Sequence, residues 1–206
     1  ISRVFGCLAT FMTALTFIAM IAAPAILYIY APGFHDDPEK FALATDMFRL
    51  TSPYLLLMSL TAFASSILNS YGSFSTPAFA PVLLNITMIA GAWWLTPYMA
   101  EPIVALGWAV VVAGVLQLAI QIPELWHKKL LIPPKVDFKH EGVDRIMKLM
   151  LPALFGVSVT QINLLLNTIW ASFMQDGSVS WLYSAERMTE LPLGLIDFDI
   201  GTVILQ

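Results

Sequence analysis

The stretch Ser184–Pro192 reads SAERMTELP and sets Glu186, Arg187 and Glu190 within five residues of one another. It lies in a longer run, WLYSAERMTELPLGLIDFDIGTVILQ, that is otherwise mostly apolar or small. At about 100° per residue, Tyr183, Glu186, Arg187, Glu190, Gly194, Asp197 and Gly201 share one helical stripe about 100° wide. A charged side chain at the centre of a membrane helix costs about 2.5–3.5 kcal/mol. Four ionisable groups facing lipid would cost on the order of 10 kcal/mol, comparable to the stability of a whole domain. The stripe therefore faces protein or water, and two chemistries fit it. Arg187 and Glu190 (i, i+3), with Glu186 one turn from Glu190, can form a self-neutralising lock between helices. Alternatively, the permanently charged guanidinium fork binds an anion in a hydrated cavity, because ionisable residues at membrane depth mark functional sites.

The preceding apolar run has a milder polar face, with Gly156, Thr160, Asn163 and Asn167 on one side and Trp170 below them. Such a face either bonds a neighbouring helix or continues the cavity wall of the Arg187 stripe. Elsewhere the signals for chemistry are bland. His35, His127 and His140 fall in loops without ligand-spaced companions, and there is no H-E-x-x-H, C-x-x-C, P-loop or G-x-G-x-x-G. The single cysteine, Cys7, sits in an apolar run and reads as packing. No catalytic group, metal site, cofactor or nucleic-acid partner is expected, and the chain reads as a non-enzyme.

These residues need elements to position them, and composition says which kind. Of 206 residues, 58% are hydrophobic and 12% charged. A soluble domain has roughly a quarter charged, so the chain reads as an all-α polytopic membrane protein. Charge-free runs locate six spans, each needing about 20 residues: near Val4–Ala31, Leu50–Leu68, Ala78–Tyr98, Pro102–Pro123, Ile146–Met174 and Ser178 to the end. The turn-forming stretch Asn69–Pro77, NSYGSFSTP, separates the second and third. Pro24, Pro53, Pro81, Pro152 and Pro192 fall within spans, where membrane helices accept kinks.

The segment His127–Lys148 holds six of the ten Lys and Arg, namely Lys128, Lys129, Lys135, Lys139, Arg145 and Lys148. The loop Ala31–Asp46 carries Asp36, Asp37, Glu39 and Asp46 against Lys40. The positive-inside rule then puts the basic loop and the 69–77 turn in the cytoplasm, and the acidic loop outside. Membrane lipids are the surrounding partner; a specific anionic-lipid site on the basic loop is the rival to a plain topology signal. The chain starts without Met and ends inside the apolar GTVILQ, so it is expected to be an internal piece of a longer protein.

Four stretches in a fixed order carry a family resemblance: ILNSYGSFSTPAFAPVLLNITMI, LGWAVVVAGVLQLAIQIPEL, LPALFGVSVTQINLLLNTIWASF and GSVSWLYSAERMTELPLG. Together they resemble the MurJ/MviN lipid II flippases of the multidrug/oligosaccharidyl-lipid/polysaccharide exporter superfamily. The resemblance implies a two-lobed, fourteen-helix flippase of the bacterial inner membrane, of which this chain matches helices three to eight. Residues 1–126 would belong to the first lobe, 127–145 to the cytoplasmic inter-lobe loop and 146–206 to the second lobe. It further implies movement of undecaprenyl-diphosphate-linked peptidoglycan precursor (lipid II) to the outer leaflet by alternating access, alongside the cell-wall synthesis machinery. In the family pattern W-x-Y-x-A-[DE]-R-x-x-E-x-P-x-G the Arg lines the central cavity. It maps onto Arg187, flanked by Glu186 and Glu190, with Asn163 and Asn167 as further substrate-facing candidates. The chain departs from the pattern after Gly194, with LIDFDIGT and a terminal Gln206 where the family has small or apolar residues and a Pro. The span at 149–174 has no acid with which to bind sodium as some members do. Rival readings are an exporter of drugs or another polyprenyl-linked saccharide, and a membrane-embedded transferase acting on the same lipid.

Overall fold

Proline placement decides where several of the helices begin. The computed structural model describes residues 2–130, 135–137, 140–175 and 177–189. Among them the chain forms α1 (Ser2–Ile21), α2 (Ala23–Tyr30), α3 (Pro38–Thr51), α4 (Pro53–Ser70), α5 (Ser75–Ala90), α6 (Pro102–Ala119), α7 (Ile122–His127) and α8 (Glu141–Ser172). A further helix, α9, covers 178–189. Pro24, Pro38, Pro53 and Pro102 each occupy a first-turn position, where a missing N–H costs nothing. Pro81 and Pro152 instead stay inside α5 and α8, as membrane helices tolerate. Pro192 lies outside the described residues.

Five helical segments are long and apolar enough to cross a membrane: Ser2–Ile21, Pro38–Ser70, Ser75–Tyr98, Pro102–His127 and Glu141–Ser172. The all-α multi-pass class is as the sequence predicts. The expected sixth span begins as α9, and its remainder, 190–206, lies outside the described residues.

Two loops are shorter than expected, both because a cap starts a helix early. The acidic loop ends at Asp37, whose Oδ1 accepts from the backbone N–H groups of Glu39 and Lys40 at 3.1 Å each. Pro38 stands at N1 of the same helix. Glu39, Lys40 and Asp46 thus sit on α3, not in a loop. Asp46 pairs with Arg49 at 3.6 Å, and the Arg49 Nε–H donates to the Met20 carbonyl at the α1–α2 bend. The basic segment 127–145 likewise ends early, at His140. Its Nδ1 accepts from the Gly142 N–H at 3.0 Å and caps α8. Arg145 and Lys148 are therefore helical, and Lys148 pairs with Asp144 one turn back.

α6 is the hub, packing on α3, α4 and α5. Its inward face is small, with Ala105, Ala109, Ala113 and Gly114 all buried. Small residues let helix backbones approach closely where no hydrophobic force separates protein from lipid. A Cβ on Gly114 would meet Tyr54 at 2.8 Å and Leu57 at 3.0 Å.

Toward its end the α6 face turns polar, and it stays buried. Gln117 donates to the Ala80 carbonyl of α5 at 3.0 Å and accepts from the Tyr54 hydroxyl of α4 at 3.4 Å. One turn on, Gln121 donates to Ser65 of α4 at 2.9 Å. Leu125 then closes the seam against Ala64 and Leu68.

Beyond it, Glu124 lies beside Ser73 and Thr76, where α4 turns into α5, and Lys128 donates to the Tyr71 carbonyl at 3.4 Å. The turn between α4 and α5 is thus clasped by α7. The connector that follows lies on the end of α1. Lys135 N–H donates to the Ser2 carbonyl, its backbone lies against Gly6, and Arg3 pairs with Asp137 at 3.3 Å.

Candidate functional site

The charged stripe rides on α9, and a glycine turn sets the angle at which α9 leaves α8. Gly177 has φ +93°, a conformation that side chains other than glycine rarely adopt. Trp181 lies across it, 3.3 Å from where a Cβ would stand. From there α9 runs through Ser184 and Thr189, which return their hydroxyls to carbonyls three or four residues back and leave the helix continuous.

Tyr183 and Arg187 stand one turn apart on this helix, and the structure brings them together. The Arg187 Nε–H and an Nη2–H both donate to the Tyr183 hydroxyl oxygen, at 3.1 and 2.9 Å. The guanidinium carbon stands 5.4 Å from the centre of the same ring, within cation–π range. Both side chains are exposed. Glu186 is half-buried and makes no ion pair among the described residues. Glu190, Gly194, Asp197 and Asp199 lie outside the described residues, and with them the expected Arg187–Glu190 pair.

The α8 candidates sit differently. Asn163 is exposed and Asn167 half-buried, one turn apart on one side of the helix. Neither side chain has a hydrogen-bond partner among the described residues, so nothing there ties them to Glu186 or Arg187. No Cβ contact would meet Gly156 on that side within 4 Å. The apolar window of α8 is 0% buried.

At the far end of α8 a different contact forms. The segment 31–37 lies against the last turn of α8, where the Gly33 N–H donates to Ser172 Oγ at 3.1 Å. Next to it a cleft of about 100 Å³ is lined by Phe34, Lys40, Ser172, Gln175, Ser178 and Ser180 among others. Lys40 Nζ stands 4.5 Å above the Phe34 ring there.

Two of the three histidines have structural places: His35 packs edge-on to Tyr28 and Phe41, and His140 caps α8. Sequence reasoning passed over three groups: the Tyr183 hydroxyl, the buried Gln117–Gln121 seam and Glu124. Tyr183 lay on the stripe already, and its i, i+4 spacing to Arg187 was the available signal. The glutamines follow at i, i+4 in a run that otherwise reads as plain lipid-facing helix.

Comparison with known proteins places these features in context. The sequence model of the family described as lipid II flippase MurJ matches residues 1–206. The chain is 44% identical over 212 residues to the probable lipid II flippase MurJ of Haemophilus influenzae, covering 100% of this chain and 42% of that protein. To the lipid II flippase MurJ of Burkholderia cenocepacia it is 42% identical over 204 residues, covering 96% and 39%. To the probable lipid II flippase MurJ of Vibrio cholerae it is 41% identical over 212 residues, covering 100% and 40%. The chain thus spans about two fifths of the length of the curated relatives it matches.

Proposed function

From the premise that this chain belongs to the lipid II flippase MurJ family, we propose that it forms part of a transporter carrying lipid II across the bacterial inner membrane. The substrate passes from the cytoplasmic to the outer leaflet by alternating access, and no bond of it is broken. Residues 1–126 belong to one lobe and 146–206 to the other, joined by the connector 127–145 on the cytoplasmic side. What supports the division is that α1 and α3–α6 pack closely on one another, whereas the apolar window of α8 is left open.

The observation that carries the reading is the exposed Arg187 on α9, the described start of the expected sixth span. A guanidinium at that depth needs water or an anion, and its planar fork matches the oxygens of a diphosphate. Glu186 and Glu190 keep the site hydrated and limit how tightly it holds the anion. Asn163 and Asn167 extend the polar wall toward the saccharide. Lipid II is the partner; contact with the cell-wall synthesis machinery, where precursor is consumed, is a further part of this proposal.

The test is Arg187→Ala in a complete flippase of the family carrying this segment. Transport of lipid II into the outer leaflet should be lost while membrane abundance stays near wild type. Wild-type transport by that variant would refute the assignment.

A further inference from the structure

We propose that Tyr183 is a positioning residue for the anion site, and that Tyr183 and Arg187 act as one composite oxyanion-binding unit. This rests on the reading of Arg187 given above. The geometry is specific. The phenol oxygen takes two N–H donors from the same guanidinium, from Nε and Nη2. Its two lone pairs are thereby filled, and the fork is held at a set angle to the α9 axis.

The chemical type of the partner matters more than the contact itself. A carboxylate in the same place would orient Arg187 equally well, but it would cancel the charge that an anion has to feel. A phenol orients the guanidinium without bringing a negative charge of its own. An arginine side chain has many rotamers, and immobilising it at the moment of binding weakens affinity. Holding it beforehand removes that loss, which is the general advantage of a preorganised site.

The hydroxyl has one further capacity. With both lone pairs given to Arg187, its own hydrogen points away from the guanidinium. It is then a neutral donor beside a charged one, directed at the same diphosphate oxygens. Tyr183 is 58% exposed, so an anion has access to it.

The test uses the complete flippase, purified and reconstituted, with undecaprenyl diphosphate as the binding probe. Tyr183→Phe keeps the ring and the cation–π contact and removes only the oxygen. It should weaken probe binding at least about tenfold, in line with loss of a hydrogen bond to a charged group, with abundance and thermal stability unchanged. Against an Arg187→Lys background the same change should have little further effect, because an ammonium has no fork to orient. Wild-type affinity in Tyr183→Phe, or an equal loss in both backgrounds, overturns the inference. So does low abundance with normal binding per folded molecule, since the contact would then be merely structural. If Arg187→Ala binds the probe as wild type does, the reading of Arg187 itself has failed. If Arg187→Ala loses the probe and Tyr183→Phe does not, only the role of Tyr183 falls.

Discussion

Gly33 and Ser172 meet across 139 residues of sequence: the Gly33 backbone N–H donates to the Ser172 side-chain Oγ at 3.1 Å. A Cβ on Gly33 would overlap the Ser172 carbonyl, and Ser172 is itself buried. Only glycine permits this approach. The contact fastens the segment before α3 to the end of α8, at the opposite end from the connector.

Widening that contact should open this end. Gly33→Val forces the two segments apart, since the valine side chain and the Ser172 carbonyl cannot share the space. Ala171, next to it, is buried. A cysteine at Ala171 in a Cys7→Ala background should react slowly with an impermeant maleimide, and several times faster once Gly33→Val is added. Equal rates would mean that the close contact does not seal this end.

The orientation proposed for the chain rests on the uneven spread of its cations. Single cysteines at Asp36 and Lys135, again with Cys7→Ala, should label from opposite sides of the membrane. Asp36 should react in intact cells and Lys135 only after permeabilisation. Labelling of both in intact cells would overturn the assignment of the connector to the cytoplasm.

The α4–α6 seam should be sensitive to volume. At Gly114 the space for a side chain is already taken by Tyr54 and Leu57, and overpacking a filled contact costs about 1–3 kcal/mol. Gly114→Leu should therefore lower the thermal midpoint of the purified protein in detergent. An unchanged midpoint would show that α4 and α6 do not pack as described.

The polar part of the same seam should contribute less. Gln117 joins α4, α5 and α6 through its two bonds, but hydrogen bonds between membrane helices average well under 1 kcal/mol each. Gln117→Ala should cost about 1–2 kcal/mol, including the small cavity it leaves. The same melting measurement decides it, and a loss as large as that of Gly114→Leu would count against this ranking.

Arg187 and Glu190 separate the two chemistries open to the charged stripe. In an anion site, Arg187→Lys should keep part of the transport rate, because charge survives and the fork does not. In a lock between helices, Arg187→Ala should strand a carboxylate and lower abundance, and Glu190→Gln should restore it. Abundance and transport compared across Arg187→Lys, Arg187→Ala and Arg187→Ala with Glu190→Gln distinguish the two outcomes.

Much of this could be read without coordinates. Charge-free runs are long only where lipid excludes charge, so they located five segments that are indeed helical and apolar enough to span. The Asp37–Pro38 pair was a legible cap and first-turn signal, and reading it would have ended the acidic loop about two turns earlier, at the start of α3. The stripe through Tyr183 and Arg187 needed only the helical period. What did not show was which apolar faces meet. Gln117 and Gln121 look like isolated polar residues in a hydrophobic run, because one chain's periodicity says nothing about the helix opposite.

The sequence by itself determined membership of the multi-pass class, the approximate places of five apolar helical segments and the shared helical stripe of Tyr183 and Arg187. Each depends on local terms, the cost of charge in hydrocarbon and the period of the helix, that act residue by residue. Only the tertiary structure decided that Gly33 lies against Ser172, that the connector rests on α1 at Gly6, and that small and polar faces of α4 and α6 interlock. These depend on the distances between helices and the rotamers that packing permits, and residues far apart in sequence enter both only after the chain has folded.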